Sequence, residues 1–399
     1  MHRRALGLLF FFISATGPSA LAQPPEDTRT QYPAWLANSY FSVNVGSLQK
    51  RFTQRQLEPG FRAGPIEVPH VAARVALFGH ELTPFVSVQL TYMRPVRFVI
   101  YRDVNGDAAA HSVWTGFGGA TLKGRAPIAG RVSLYGEAGL GIASRHGFAQ
   151  DTAPVVRDTS YASILLGAGV EYRVRPAWDL TAGATYIPGN ARDRESRAVM
   201  VDGGFRYTMR PLPQDRVEAN RDGGFTFRAR RLQVEYSTGF GYAINTFLST
   251  RVPVFWKGDI KVDRGIALHY EQNVFHTRKI FALDVGTSAS DWRTREARQG
   301  FFTLSVYPLF RFLPVRTKRA DLYVCYSLAG PTYISTRLAD GRDLGSHFTF
   351  QDFMGAGVLV GKARTVALGV KINHYSNGNV FPENAGVMVP VTFTAGWAF

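Results

Sequence analysis

Cysteine is almost missing from this sequence. Cys325 stands alone among 399 residues, so no intrachain disulfide can form. Cysteine and histidine never fall at metal-finger spacing, and the neighbours His269, Glu271 and His276 sit at intervals that fit no zinc pattern. We expect no metal and no cofactor. Long apolar runs are missing too: past residue 22 no stretch is long enough to cross a bilayer as a helix. Negative charge is in short supply, with 30 Asp and Glu against 46 Lys and Arg and a formal net charge of +16. Such an excess suits either nucleic acid or an anionic membrane surface.

The N-terminus chooses between them. It reads MHRRALGLLFFFISATGPSALA. Arg3 and Arg4 form a positive region, Leu6 to Ile13 a short apolar core, and Ala20-Leu21-Ala22 an A-x-A site. The expectation is a secretory signal peptide over 1–22, hence an exported chain and no nucleic-acid partner.

Short alternating segments rich in Gly, Tyr and Phe recur along the rest, which is the signature of a transmembrane β-barrel. Eight strands are expected at about 38–47, 67–78, 83–94, 112–123, 130–141, 161–172, 178–187 and 198–208. In VSLYGEAGLG, Val132, Leu134, Ala138 and Leu140 share one face, with Ser133, Tyr135 and Glu137 on the other. In VMVDGGFRY, Val199, Val201, Phe205 and Tyr207 share a face opposite Asp202 and Arg206. Apolar rows facing lipid, with Glu137, Glu171, Asp202 and Arg206 in a narrow lumen, favour a barrel plugged by its own side chains.

Residues 210–231 carry Pro211 and Pro213 and many charges, without helical periodicity, and read as a linker. About eight more strands follow, near 232–242, 264–275, 279–288, 300–312, 320–330, 347–361, 364–376 and 387–399. In the last, Val387, Val389, Val391, Phe393, Ala395, Trp397 and Phe399 form one apolar row. The expected fold is all-β: two tandem eight-stranded antiparallel transmembrane β-barrels, at 36–209 and 232–399. A single sixteen-stranded barrel, which would leave a porin-like pore, is the alternative. DVNGD at 103–107 starts like a calcium loop, but its Gly is misplaced and Trp114 stands where the bidentate Glu belongs. A turn is expected there.

The stretch HYSNGNVFPENAG, residues 374–386, holds the candidate chemistry. Strand residues alternate faces, so His374 and Ser376 continue the lipid-facing row Val366, Leu368, Val370 and Ile372. Both termini of an even-stranded barrel lie in the periplasm, which puts the pair at the outer rim, beside lipopolysaccharide. His374 can take the proton as Ser376 attacks an ester carbonyl. Asn377, Asn384 or backbone N–H groups around Gly378 can serve the oxyanion.

That stretch, with HFTFQDFMGAGVLVG and AGPTYIS before it, resembles the PagL-type lipid A 3-O-deacylases (acyloxyacyl hydrolase-like) over about 232–399. The first half resembles small OmpA-like barrels, and the closing Phe399 resembles the C-terminal signal read by the outer-membrane assembly machinery. The resemblance implies a serine esterase of the bacterial outer membrane, a hydrolase that removes the ester-linked 3-hydroxyacyl chain from position 3 of lipid A. Ser376 matches the nucleophile, His374 the base and Asn384 an oxyanion-stabilising residue, with Asn377 following the serine as in the family. The family acid is replaced here by Met388. Glu383 in the loop is the expected substitute, with Asp352 on the preceding strand as the alternative. A non-enzymatic structural or binding barrel with a decayed deacylase site is the other reading.

Overall fold

The computed structural model describes residues 27–251, 258–381 and 383–399. The expected signal peptide at 1–22 lies outside them.

Sixteen long strands account for the architecture. The first eight are β1 (Ser39–Lys50), β2 (Val71–Glu81), β3 (Val86–Pro95), β4 (His111–Ala129), β5 (Val132–His146), β6 (Thr159–Arg175), β7 (Trp178–Ile187) and β8 (Ala198–Thr208). They pair antiparallel with their sequence neighbours, and β1 with β8 closes the ring. The second eight are β9 (Arg230–Ser237), β10 (Ile260–His276), β11 (Phe281–Thr294), β12 (Gly300–Arg316), β13 (Ala320–Ile334), β14 (Phe348–Val360), β15 (Val366–Ser376) and β16 (Val387–Ala398). They form a second closed barrel, sealed by β9 against β16. Each ring closes on itself, so the sixteen-stranded pore does not form.

Period-two patterning explains the strands. Val201 and Leu140 point outward and are exposed, whereas Glu137, Glu171, Asp202 and Arg206 are buried in the first lumen. There Lys123 Nζ lies 2.6 Å from Glu171 and Arg206 2.6 Å from Asp179, while Arg74 pairs with Glu137. The second lumen holds Arg311 at 2.7 Å from Glu271, and His269 between Glu235 at 2.8 Å and Tyr307 at 2.9 Å. Removing one member of such a buried pair strands the other charge and costs about 3–5 kcal/mol. His276 belongs elsewhere, with its Nε2 3.1 Å from Asp27.

Turns are short at one end of each barrel, at 82–85, 130–131 and 176–177, then 277–280, 317–319 and 361–365. Most loops at the other end are long, including 51–70, 96–110, 335–347 and 377–386, with 295–299 the short exception. Short turns mark the periplasmic side and long loops the outer side. DVNGD is a turn, as expected, in which the Asp107 N–H donates to Val104.

Three details depart from the sequence expectation. The linker contains a helix, α1 (Gln214–Arg221). A second helix, α2 (Tyr242–Arg251), follows β9. The apolar row of β16 is also interrupted. Lys371 pairs with Thr392 but Asn373 with Val389, so Ile372 faces both Pro390 and Val391. Proline has no N–H for the ladder, and a bulge is one of the places that tolerates it. The bulge turns Val387 and Val389 inward, where they pack with Trp292, Phe301 and Tyr375. It also turns Met388 outward.

The barrels touch at both rims. Outside, Ser160 Oγ donates to Val380 O at 3.1 Å. Inside, Tyr32, Leu36, Met209 and Leu212 cover Phe275, Leu283 and Phe310.

Candidate active site

Strand β15 sorts the residues of the site. Its Tyr375 points inward, accepting from Trp292 Nε1 at 3.1 Å. Leu368 and Val370 point outward and are exposed. Ile372 and His374 continue the outward row, yet both are buried. Helix α2 accounts for the cover over Ile372, because Leu248 packs with Ile372, Val391, Tyr326 and Met354 on the outside of the wall. Asn245 Nδ2 holds the helix to Val389 O at 3.4 Å. The strand expected over 232–242 ends at Ser237, and this helix follows in its place. Its signal was the three-residue spacing of Tyr242, Asn245 and Leu248, placed after Gly239 and Gly241.

Ser376 closes β15 at the outer rim, half-buried, opposite Phe350. The chain then turns through Gly378 at φ +65° and Asn379 at φ +59°. The turn folds the Gly378 N–H back to 3.2 Å from Ser376 Oγ. Asn384 Nδ2 lies 2.9 Å from the same oxygen. The serine hydroxyl therefore faces two donors, one of them backbone.

Asn377 has a different part. Its side-chain amide donates to Leu344 O at 2.9 Å and Glu383 O at 2.6 Å. It joins the 335–347 loop to the site loop and aims no donor at Ser376. Its backbone N–H holds Asn384 Oδ1 at 3.0 Å. Gly345 leaves the room this requires, since a Cβ there would stand 2.2 Å from Glu383 O.

His374 has two lateral neighbours, Asp352 on β14 and Met388 on β16. Asp352 Oδ2 lies 3.8 Å from His374 Nδ1, and its Oδ1 accepts from Ala329 N at 2.6 Å. A register shift in β13 between Ser327 and Gly330, with Ala329 at φ +53°, accompanies that bond. Glu383 is exposed, and its backbone carbonyl is engaged by Asn377. No ion pair joins its carboxylate to His374 among the described residues. Those residues also hold no group of three or more His, Cys, Asp or Glu able to bind a metal.

Two family models match the chain. Residues 264–389 match "Lipid A 3-O-deacylase (PagL)", and residues 43–207 match "OmpA-like transmembrane domain". The chain pairs an OmpA-like barrel with a PagL-like one. It is a multi-pass β-barrel protein of the bacterial outer membrane. No curated protein matches it. Among solved structures it resembles the outer-membrane enzyme PagL, with 17% identity over 43% of this chain and 100% of that one, at a TM-score of 0.31. Neisserial surface protein A matches with 18% identity over 43% and 97%, at 0.28. Ail of Yersinia pestis matches with 16% identity over 43% and 99%, at 0.27. These structural matches are distant, and each family model matches less than half of the chain.

Proposed function

We propose that the PagL-like barrel is a serine esterase that removes the ester-linked 3-hydroxyacyl chain from position 3 of lipid A. One observation carries this reading: Ser376 Oγ meets Asn384 Nδ2 at 2.9 Å and the Gly378 N–H at 3.2 Å, two residues from a histidine backed by a carboxylate.

Ser376 Oγ attacks the ester carbonyl carbon and its proton passes to His374. The carbonyl oxygen becomes an oxyanion beside the Gly378 N–H and the Asn384 amide, which donate to Ser376 Oγ in the resting site and shift to the oxyanion as Oγ forms its bond to carbon. The C–O bond to the sugar then breaks, and His374 returns the proton to the departing hydroxyl. Water, deprotonated by His374, hydrolyses the acyl-enzyme and releases the fatty acid. Asp352 faces Nδ1 and stabilises the imidazolium, leaving the other ring nitrogen to move the proton. Met388 cannot do this.

The site lies where its substrate is. Ser376 is at the outer rim, and Val370 and Leu368 continue its row toward the membrane interior. Phe350 flanks it, edge-to-face with Phe348 at 5.0 Å, as an apolar wall for an acyl chain. The test is release of 3-hydroxy fatty acid from lipid A by the purified chain in detergent. Wild type should release it and Ser376→Ala should not; equal release by both removes Ser376 from the mechanism.

A further inference from the structure

Strands β10 and β11 carry a basic patch at the outer rim that the catalytic steps leave unused. Arg264 and Arg293 are direct cross-strand partners. Both are exposed: Arg293 points outward between the buried Trp292 and Thr294, and a register shift between the inward Val262 and Arg264 puts Arg264 on the outer face. Like charges directly opposite on a sheet are destabilising. Among the described residues no ion pair or side-chain hydrogen bond relieves either arginine. Of the nearby acids, Asp263 pairs with Arg298 at 2.8 Å and Glu296 with Arg342 at 2.9 Å, while Asp291, two residues before Arg293 on the same outward face, makes no ion pair with either arginine among the described residues.

Two more cations extend the patch. Lys261 Nζ and Arg295 Cζ each lie 5.7 Å from the centroid of the Tyr242 ring. Tyr242 begins α2 and is anchored by its hydroxyl to Val262 O. Asp259 and Asp291 are exposed on the same two strands or just before them, and four cations outnumber them.

The patch connects to the site through the wall of the barrel. Above the end of β9, β10 pairs with β16, Lys261 opposite Met388. Met388 lies opposite His374. Lys261 is thus two strand spacings from the base, roughly 10 Å. Arg264, three residues further along β10, and its partner Arg293 lie deeper.

We propose that Lys261, Arg264, Arg293 and Arg295 bind a phosphate group on the headgroup of the lipid A whose ester is cut at Ser376. A phosphomonoester supplies the charge that the Arg264–Arg293 pair lacks, and paired guanidinium groups grip its oxygens bidentately. Held there, the headgroup presents its acyl esters to the neighbouring strands. This inference rests on the deacylase reading for the identity of the lipid.

The test is binding of the full chain carrying Ser376→Ala, in nanodiscs, to diphosphoryl lipid A and to lipid A stripped of phosphate. Adding Arg264→Gln and Arg293→Gln should weaken binding of the diphosphoryl form roughly ten- to a hundred-fold. Binding of the stripped form should not change. Millimolar inorganic phosphate should not compete; full competition would make free phosphate the ligand and overturn the lipid assignment. Equal affinity in both backgrounds, or equal loss for both lipids, would also overturn it. Without lipid, Arg293→Gln alone should be at least as thermostable as wild type, because it removes a repulsion; a less stable barrel would make the pair structural and refute the proposal. The binding readout does not depend on turnover. Phosphate-dependent binding without esterase activity would keep the patch and reject the catalytic reading, and the converse pattern would reject the patch alone.

Discussion

Asp352 on β14 stands directly across from His374 on β15, its Oδ2 3.8 Å from Nδ1. Its other oxygen is fixed by the Ala329 N–H. The carboxylate is thereby aimed before any substrate arrives.

Asp352→Asn should lower kcat by about 10²–10⁴ with little change in KM. The asparagine oxygen can still accept from Ala329, so the barrel should remain heat-modifiable on gels. Glu383→Gln should leave kcat within about twofold of wild type. A larger loss at Glu383 than at Asp352 would exchange their roles.

Met388 flanks His374 on the side away from Asp352. Met388→Glu places a carboxylate there and should restore at least about tenfold of the activity lost in Asp352→Ala. Esterase assays of the single and double variants decide this. No recovery in a folded double variant would mean that position 388 cannot reach the imidazole.

The two asparagines should separate kinetically. Asn384→Ala removes a donor at Ser376 and should cost about 10²–10³ in kcat. Asn377→Ala instead unties two loops, and should lower thermal stability and raise KM. A pure kcat loss at Asn377 would contradict this division.

The periplasmic contact between the barrels should respond to acid. Burial pushes the Asp27 carboxyl up, but hydrogen bonds from His276 and Arg29 outweigh it and hold the group well below the usual carboxylate range. A depressed carboxylate stabilises the folded contact above its ordinary pKa and loses that contribution as pH falls through the folded value. Proteolysis within 210–231 should therefore be steady from about pH 5 to 8 and rise below about pH 4. Asp27→Asn should show faster cleavage and a flatter profile.

Much of this was legible in the sequence. All sixteen strands follow from period-two alternation, because lipid outside and a charged lumen inside demand opposite side chains at successive residues. The outward row of His374 and Ser376 followed from the same parity. The bulge at Pro390 was not read, because counting in twos assumes an unbroken ladder; the proline itself was the available warning. Asp352 was legible as a candidate neighbour of His374 across the turn before β15, but its exact register was not, and Glu383, nearer in sequence, was expected ahead of it. Helix α2 was hidden because a short apolar segment after a strand reads as more strand. The part played by Asn377 depends on carbonyls from two loops, which no local pattern reveals.

The central claim is that Ser376 cuts lipid A. The most direct measurement is mass spectrometry of lipid A from bacteria expressing wild type or Ser376→Ala, with folding of both verified by gel mobility. The account predicts loss of one 3-hydroxyacyl chain with wild type and intact lipid A with the variant. Intact lipid A in both, or loss of the chain in both, would contradict it.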